Sequence, residues 1–199
     1  MVSDEDFRKD LVRREQLLRQ RLERLIQEQR ALADESRLFY ASVDAVKARD
    51  AGRLLRAEKR QRQMLPGLAL ITAGLAQIRG EAYNNHLESD PSPLLKRLDD
   101  AVLVPLRTVT VTLLQEAADR AAVARQRTHD AESREAWRAA EGAQRRVITA
   151  LMDVRKNLLA SDEVSELARL MEEILSDQKK VNQETARKAA RAIENIFEK

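Results

Sequence analysis

Residues 10–46 read DLVRREQLLRQRLERLIQEQRALADESRLFYASVDAV, and within them Leu11, Leu18, Leu25, Leu32, Phe39 and Val46 recur at every seventh position. A seven-residue apolar repeat returns to the same side of an α-helix every two turns, so these side chains form one stripe. The companion seam reads Glu15, Leu22, Gln29, Ser36, Val43 and Asp50 and is only partly apolar. The buried strip is therefore expected to be narrow, with polar members that fix register or leave the helix dependent on neighbours. Continued over 4–63, such a helix is roughly 90 Å long at about 1.5 Å per residue.

Pro66-Gly67 interrupts this rhythm and predicts a kink, because proline lacks a backbone donor and its ring collides with the preceding turn. Helical spacing resumes with Leu68, Ile71, Leu75, Ile78 and Ala82, giving a segment over 66–87. The stretch 88–93, with Pro91 and Pro93 among small polar residues, reads as a loop. Beyond it Leu95, Leu98, Val102, Leu106, Val109 and Leu113 predict a helix over 94–128, with Pro105 as a kink rather than a stop. The run Val109-Thr110-Val111-Thr112 favours strand locally but is too short to outvote that period.

Trp137, Ala140, Val147, Leu151, Val154 and Leu158 predict a further helix over 131–160. Ser161, followed by Asp162 and Glu163, reads as the cap of a last helix over 162–197 that buries Val164, Leu167, Met171, Ile174, Val181, Ile193 and Ile196. The fold expected is all-α: an elongated antiparallel bundle or coiled coil of long amphipathic helices, with kinks at Pro66 and Pro105, in a single domain spanning 1–199.

Composition supports that class and excludes several chemistries. Of 199 residues, 35% are charged and 3% aromatic, with five Gly and four Pro, a balance suited to solvent-bathed helices with few turns. Net charge is +3, from 36 Lys and Arg against 33 Asp and Glu, so the overall field is weak and points to no particular partner. The absence of cysteine removes disulfides, thiolate metal sites and thiol nucleophiles, and leaves the compartment open. The N-terminus, Met1-Val2-Ser3-Asp4-Glu5-Asp6, is acidic where a secretory or mitochondrial leader is basic and apolar, so no leader is expected. The uncharged run Met64 to Ile78 is too short and interrupted to span a bilayer.

Catalysis needs convergent groups of matched acidity, and the scarce types are almost missing here. The two histidines, His86 and His129, fall at or near helix ends, where a solvated side chain favoured by the helix C-terminus explains them better than a proton shuttle or metal ligand. No Glu-x-x-His pair offers di-iron ligands. The adjacent acids Asp99-Asp100 and Glu172-Glu173 point about 100° apart on a helix and cannot share an ion. Gly67, Gly74 and Gly80 lack the strand and the Lys-Ser/Thr pair of a phosphate loop, and Trp137 lies on an apolar stripe where core is the ordinary role. No catalytic, cofactor-binding or metal residue, and no cofactor, is predicted; the chain is expected not to be an enzyme.

One feature rises above this background. Arg49, Arg53, Arg56 and Arg60 follow at spacings of four, three and four, and with Lys47, Lys59 and Arg62 they face only Asp50 and Glu58, a local charge of +5. On a helix these arginines share a face, which suits a phosphate backbone, an anionic membrane or an acidic partner helix. The alternative is a solvated face paired with acids of neighbouring helices. Few aromatics remain to stack single-stranded bases.

Leu11-Val12-Arg13-Arg14-Glu15-Gln16, Arg19 to Ile26, Tyr83-Asn84-Asn85-His86-Leu87-Glu88 and Glu172 to Arg187 resemble the helical, coiled-coil-rich regions of large planctomycete-type bacterial proteins of unknown function. The resemblance implies a module of a far longer, often membrane-associated protein, opening at Met1, and carries no catalytic residues. Two functions are therefore expected in order: a scaffold or protein–protein interaction module, self-associating as a homo-oligomer or packing on other helices, and, second, an anionic-surface or nucleic-acid binder using Arg49, Arg53, Arg56 and Arg60.

Overall fold

The computed structural model describes residues 4–41, 50–84, 93–127 and 129–159, and all their regular structure is helical. The chain divides into two units, Met1–Leu158 and Leu159–Lys199. The helix read over 162–197 and its apolar positions lie outside the described residues.

The described residues form four helices: α1 (Asp4–Ala41), α2 (Ala51–Asn84), α3 (93–126) and α4 (130–159). Cross-helix pairs fix their directions. Arg14 meets Glu81 at one end of α1 and α2, and Arg53 approaches Glu35 at the other. Between α2 and α3, Arg79 meets Asp99 and Glu58 meets Arg125. Glu116 pairs with Arg146 across α3 and α4, while Arg155–Glu23 and Trp137–Phe39 join α4 back to α1. Each helix is thus antiparallel to both neighbours, an up-and-down four-helix bundle with α1 and α3 on one diagonal and α2 and α4 on the other.

The helix read over 4–63 is two helices, and Asp50 explains why. Its side-chain carboxylate accepts the N–H of Arg53 at 3.2 Å and its carbonyl accepts that of Leu54 at 3.0 Å, so it caps the start of α2 rather than continuing the seam of α1. The heptad stripe otherwise packs inward. Leu11, Leu18, Leu32 and Phe39 are buried and Leu25 packs half-buried against them, while Val46 lies outside the described residues. From the companion positions Leu22, Gln29 and Ser36 are fully buried, and Ile26 and Ala33 widen the strip.

Proline acts differently at Pro66 and Pro105. α2 runs unbroken through Pro66, which sits on the exposed face, where water can take the carbonyl of Arg62 that proline leaves without a donor. In α3, the α-helical turns Pro93–Leu98, Val104–Thr108 and Leu114–Gln126 alternate with two π-helical turns, Asp99–Leu103 and Val109–Leu113. Pro105 has no N–H for the carbonyl of Ala101, and Asn157 of α4 donates to that carbonyl at 3.1 Å instead. Thr108 and Thr110 donate their hydroxyls back to the carbonyls of Val104 and Leu106, and the Val-Thr-Val-Thr run lies within a helix.

The core is one contiguous cluster fed by all four helices, with Phe39 edge-on to Trp137 at 4.7 Å between ring centroids and 65° between planes. Full burial of each such large apolar side chain stabilises the fold by about 1.5–3 kcal/mol before entropy is counted. Trp137, Val147, Leu151, Val154 and Leu158 line the inner face of α4 as the sequence predicts. Within α3, Asp99–Gln126 is long and apolar enough to cross a membrane by length and composition, but Leu106, Val109, Leu114, Ala117 and Ala121 are spent on the bundle core.

Candidate interaction surface

The arginine stripe on α2 is divided by its neighbours. Arg60 lies 3.3 Å from Glu35 and 3.7 Å from Glu28 of α1; Arg53 lies 3.8 Å from Glu35, with its guanidinium 5.7 Å from the Phe39 ring centroid. Arg62 turns back to Glu58, whose other oxygen takes Arg125 of α3. Arg56 is exposed and meets no acid among the described residues, while Arg49 lies outside them. Two of the three described arginines therefore bridge α2 to α1, partly exposed, in contacts that individually contribute little.

Polar chemistry inside the bundle is equally committed. Gln61 of α2 exchanges hydrogen bonds with Gln29 of α1 at 3.1 and 3.2 Å and accepts a third from Gln144 of α4 at 3.0 Å. All three are buried. This layer spans three helices at mid-core, where a buried amide without partners costs about 1–3 kcal/mol. Gln144 Oε1, Ser36 Oγ and Trp137 Nε1 are buried polar atoms that have no hydrogen-bond partner among the described residues.

Glu141 of α4 is the most buried acid with a displaced affinity for protons. Burial pushes its carboxyl up, but hydrogen bonds from the Tyr40 hydroxyl and the Arg145 guanidinium outweigh this and hold it below the usual range. The same bond to Glu141, with burial, raises the Tyr40 phenol, over whose ring Arg138 sits at 5.4 Å from the centroid. Glu141, which accepts from Tyr40 of α1 on one oxygen and from Arg145 on the other, fastens α1 to α4. His129 sits exposed in the bend between α3 and α4, His86 lies outside the described residues, and no three metal-ligating side chains gather among the described residues.

What remains open is apolar. The uncharged Met64–Ile78 stretch of α2 buries Met64, Leu68, Ile71, Leu75 and Ile78, yet its other side leaves Leu70 66% exposed beside the exposed Pro66, Ala69 and Ala73. Between α3 and α4 lies a groove of about 790 Å³, with Val111 and Val123 on one wall and Ala136 and Ala139 on the other. Small alanines keep the α4 wall low, and the π turn at Val109–Leu113 leaves Val111 74% exposed between the buried Val109 and Leu114.

Sequence reasoning put the arginines on one helix face, but not the acids of α1 that meet two of them. It passed over the groove. The available signal was two valines, Val111 and Val123, off the buried stripe of α3, near the acids of 116–119 and 132–135. The class defined by this geometry is an antiparallel four-helix bundle. The chain gives no significant match to any family model, curated protein or solved structure.

Proposed function

We propose that this chain is a non-enzymatic helical scaffold or protein–protein interaction module, belonging to a larger bacterial protein. The observation that carries the reading is the apolar surface left outside a complete core, above all the uncharged outer side of α2 around Leu70. A helix that is apolar all round normally has cover on all sides, and here one side has none within the described bundle. The resemblance to helical regions of long planctomycete-type proteins supports the same role. The partner is another helix, from a second copy or from another protein.

The other reading, an anionic membrane or nucleic acid held by the α2 arginines, has less support. Arg53 and Arg60 lean on Glu35 and Glu28, which leaves Arg56 and Lys59 as a thin stripe. Salt separates the two readings, because phosphate binding weakens steeply with ionic strength while helix packing responds little. Sedimentation over a concentration series, with titration of amphipathic peptides, should give association that survives high salt and is lost in Leu70→Glu/Ala73→Glu. Duplex DNA or anionic vesicles bound at about micromolar affinity in physiological salt, and released by Arg53→Glu/Arg56→Glu, would favour the other reading.

A further inference from the structure

The α3–α4 groove has an acidity that the chain as a whole lacks. Its lining carries Glu116, Asp119, Glu132 and Glu135 against Arg120 and Arg127, four acids to two bases, in a protein of net charge +3. The acids are not equivalent. Glu116 takes both Arg120 and Arg146 at 2.8 Å, and Glu132 takes Arg127 at 3.4 Å. Asp119 accepts only the neutral amide of Gln115, at 3.0 Å, and Glu135 meets no cation among the described residues. The two uncompensated carboxylates stand on opposite walls, one on α3 and one on α4.

Beside them on the same two walls lies the apolar lining, Val111 and Val123 on α3 and Ala136 and Ala139 on α4. Val111 and Val123 are twelve residues apart on α3, about 18 Å along the helix, which matches about three turns of a second helix laid beside it. Neither valine is part of the buried core, and an exposed β-branched residue does nothing for the isolated helix that alanine would not do better. An apolar lining with acid on both walls is the complement of an amphipathic helix with a basic border.

We propose that this groove docks an amphipathic α-helix of a partner protein, its apolar stripe on Val111 and Val123 and its lysines or arginines facing Asp119 and Glu135. The proposal rests on the interaction-module reading and names the partner's chemistry. Nucleic acid and anionic lipid are repelled from this face by the same carboxylates.

The test uses the full chain and three labelled helical peptides of about 18 residues that share one leucine stripe and differ only in flanking with Lys, Gln or Glu. Anisotropy titrations should give saturable binding in the order Lys, Gln, Glu, with Lys over Gln by about tenfold. Asp119→Asn/Glu135→Gln should erase that preference and leave the thermal melt unchanged, and Val111→Asp/Val123→Asp should abolish binding of all three. Lys-peptide binding indifferent to the valine pair would overturn the groove while leaving the interaction reading intact. Equal binding of the Glu peptide would overturn the basic partner. Self-association lost in Val111→Asp/Val123→Asp, without peptide binding, would make the occupant a second copy and overturn the proposal. No peptide binding and no self-association would defeat both readings.

Discussion

The seam between α1 and α2 and the seam between α3 and α4 are built by the same antiparallel geometry and finished differently. At the first, Gly74 lets α1 come close: a methyl there would lie 2.9 Å from both terminal carbons of Leu18. Arg14–Glu81 and Arg60–Glu35 then cross the seam outside it. At the second, Ala136 and Ala139 of α4 keep one wall low, and the π turn at Val109–Leu113 of α3 leaves a valine outward. Close approach with interlocked large side chains closes one seam, whereas small side chains without glycine leave the other with an open groove. Burial, not helix propensity, separates a seam that stabilises the fold from a surface available to a partner.

The sharpest way to break this comparison is to put the same charge on both sides of it. Ile71→Asp, in the closed core of α2, is expected to cost several kcal/mol and to lower the melting temperature steeply. Val111→Asp, in the open groove, should change stability by no more than about 0.5 kcal/mol in the same circular dichroism melt. Equal losses would mean that the groove is core.

A smaller effect is expected from the glutamine layer. Gln61→Leu strands the amides of Gln29 and Gln144 and should cost about 1–3 kcal/mol by chemical denaturation. The triple change of Gln29, Gln61 and Gln144 to Leu should recover that loss, because no unpaired amide remains. A stable single variant with an unstable triple one would show that the layer is held by packing instead.

Acid should loosen several seams together. The Arg14 hydrogen bond lowers the carboxyl of Glu81, that of Arg155 lowers Glu23, and that of Arg146 lowers Glu116, while Glu141 stays low against the pull of burial. A carboxyl more acidic folded than unfolded stabilises the fold above the unfolded value of about 4.3, and that contribution disappears as pH falls through the folded value. Stability should therefore be level near neutrality and decline below about pH 4.5, with Glu141→Gln flattening part of the decline.

The mildest contrast is between glycines. At Gly142 an added methyl meets no atom within 4 Å, so Gly142→Ala should stabilise α4 by up to about 1 kcal/mol. Gly74→Ala should forfeit that gain and lower the melting temperature, since Leu18 must move. A rise in both would mean that α1 can draw back from α2 at no cost.

By itself the sequence determined that the chain is helical, and it placed most of the inward faces, because an apolar period near 3.6 is written in neighbouring residues such as Leu68, Ile71 and Leu75 and needs no partner to be read. It also marked Gln29 and Ser36 as polar members of a buried seam. Where α2 begins was not legible in the heptads, since Asp50 fits a seam position as well as a cap and only its bonds to Arg53 and Leu54 distinguish them. Tertiary structure alone decided which residues from distant segments meet. Gln144 completes a layer begun by Gln29, Asn157 supplies the donor that Pro105 lacks, and Glu35 draws two arginines of the stripe against α1. Periodicity fixes the angle of a side chain around its own helix axis, but the neighbour at that angle is set by how four helices pack, which no local pattern encodes.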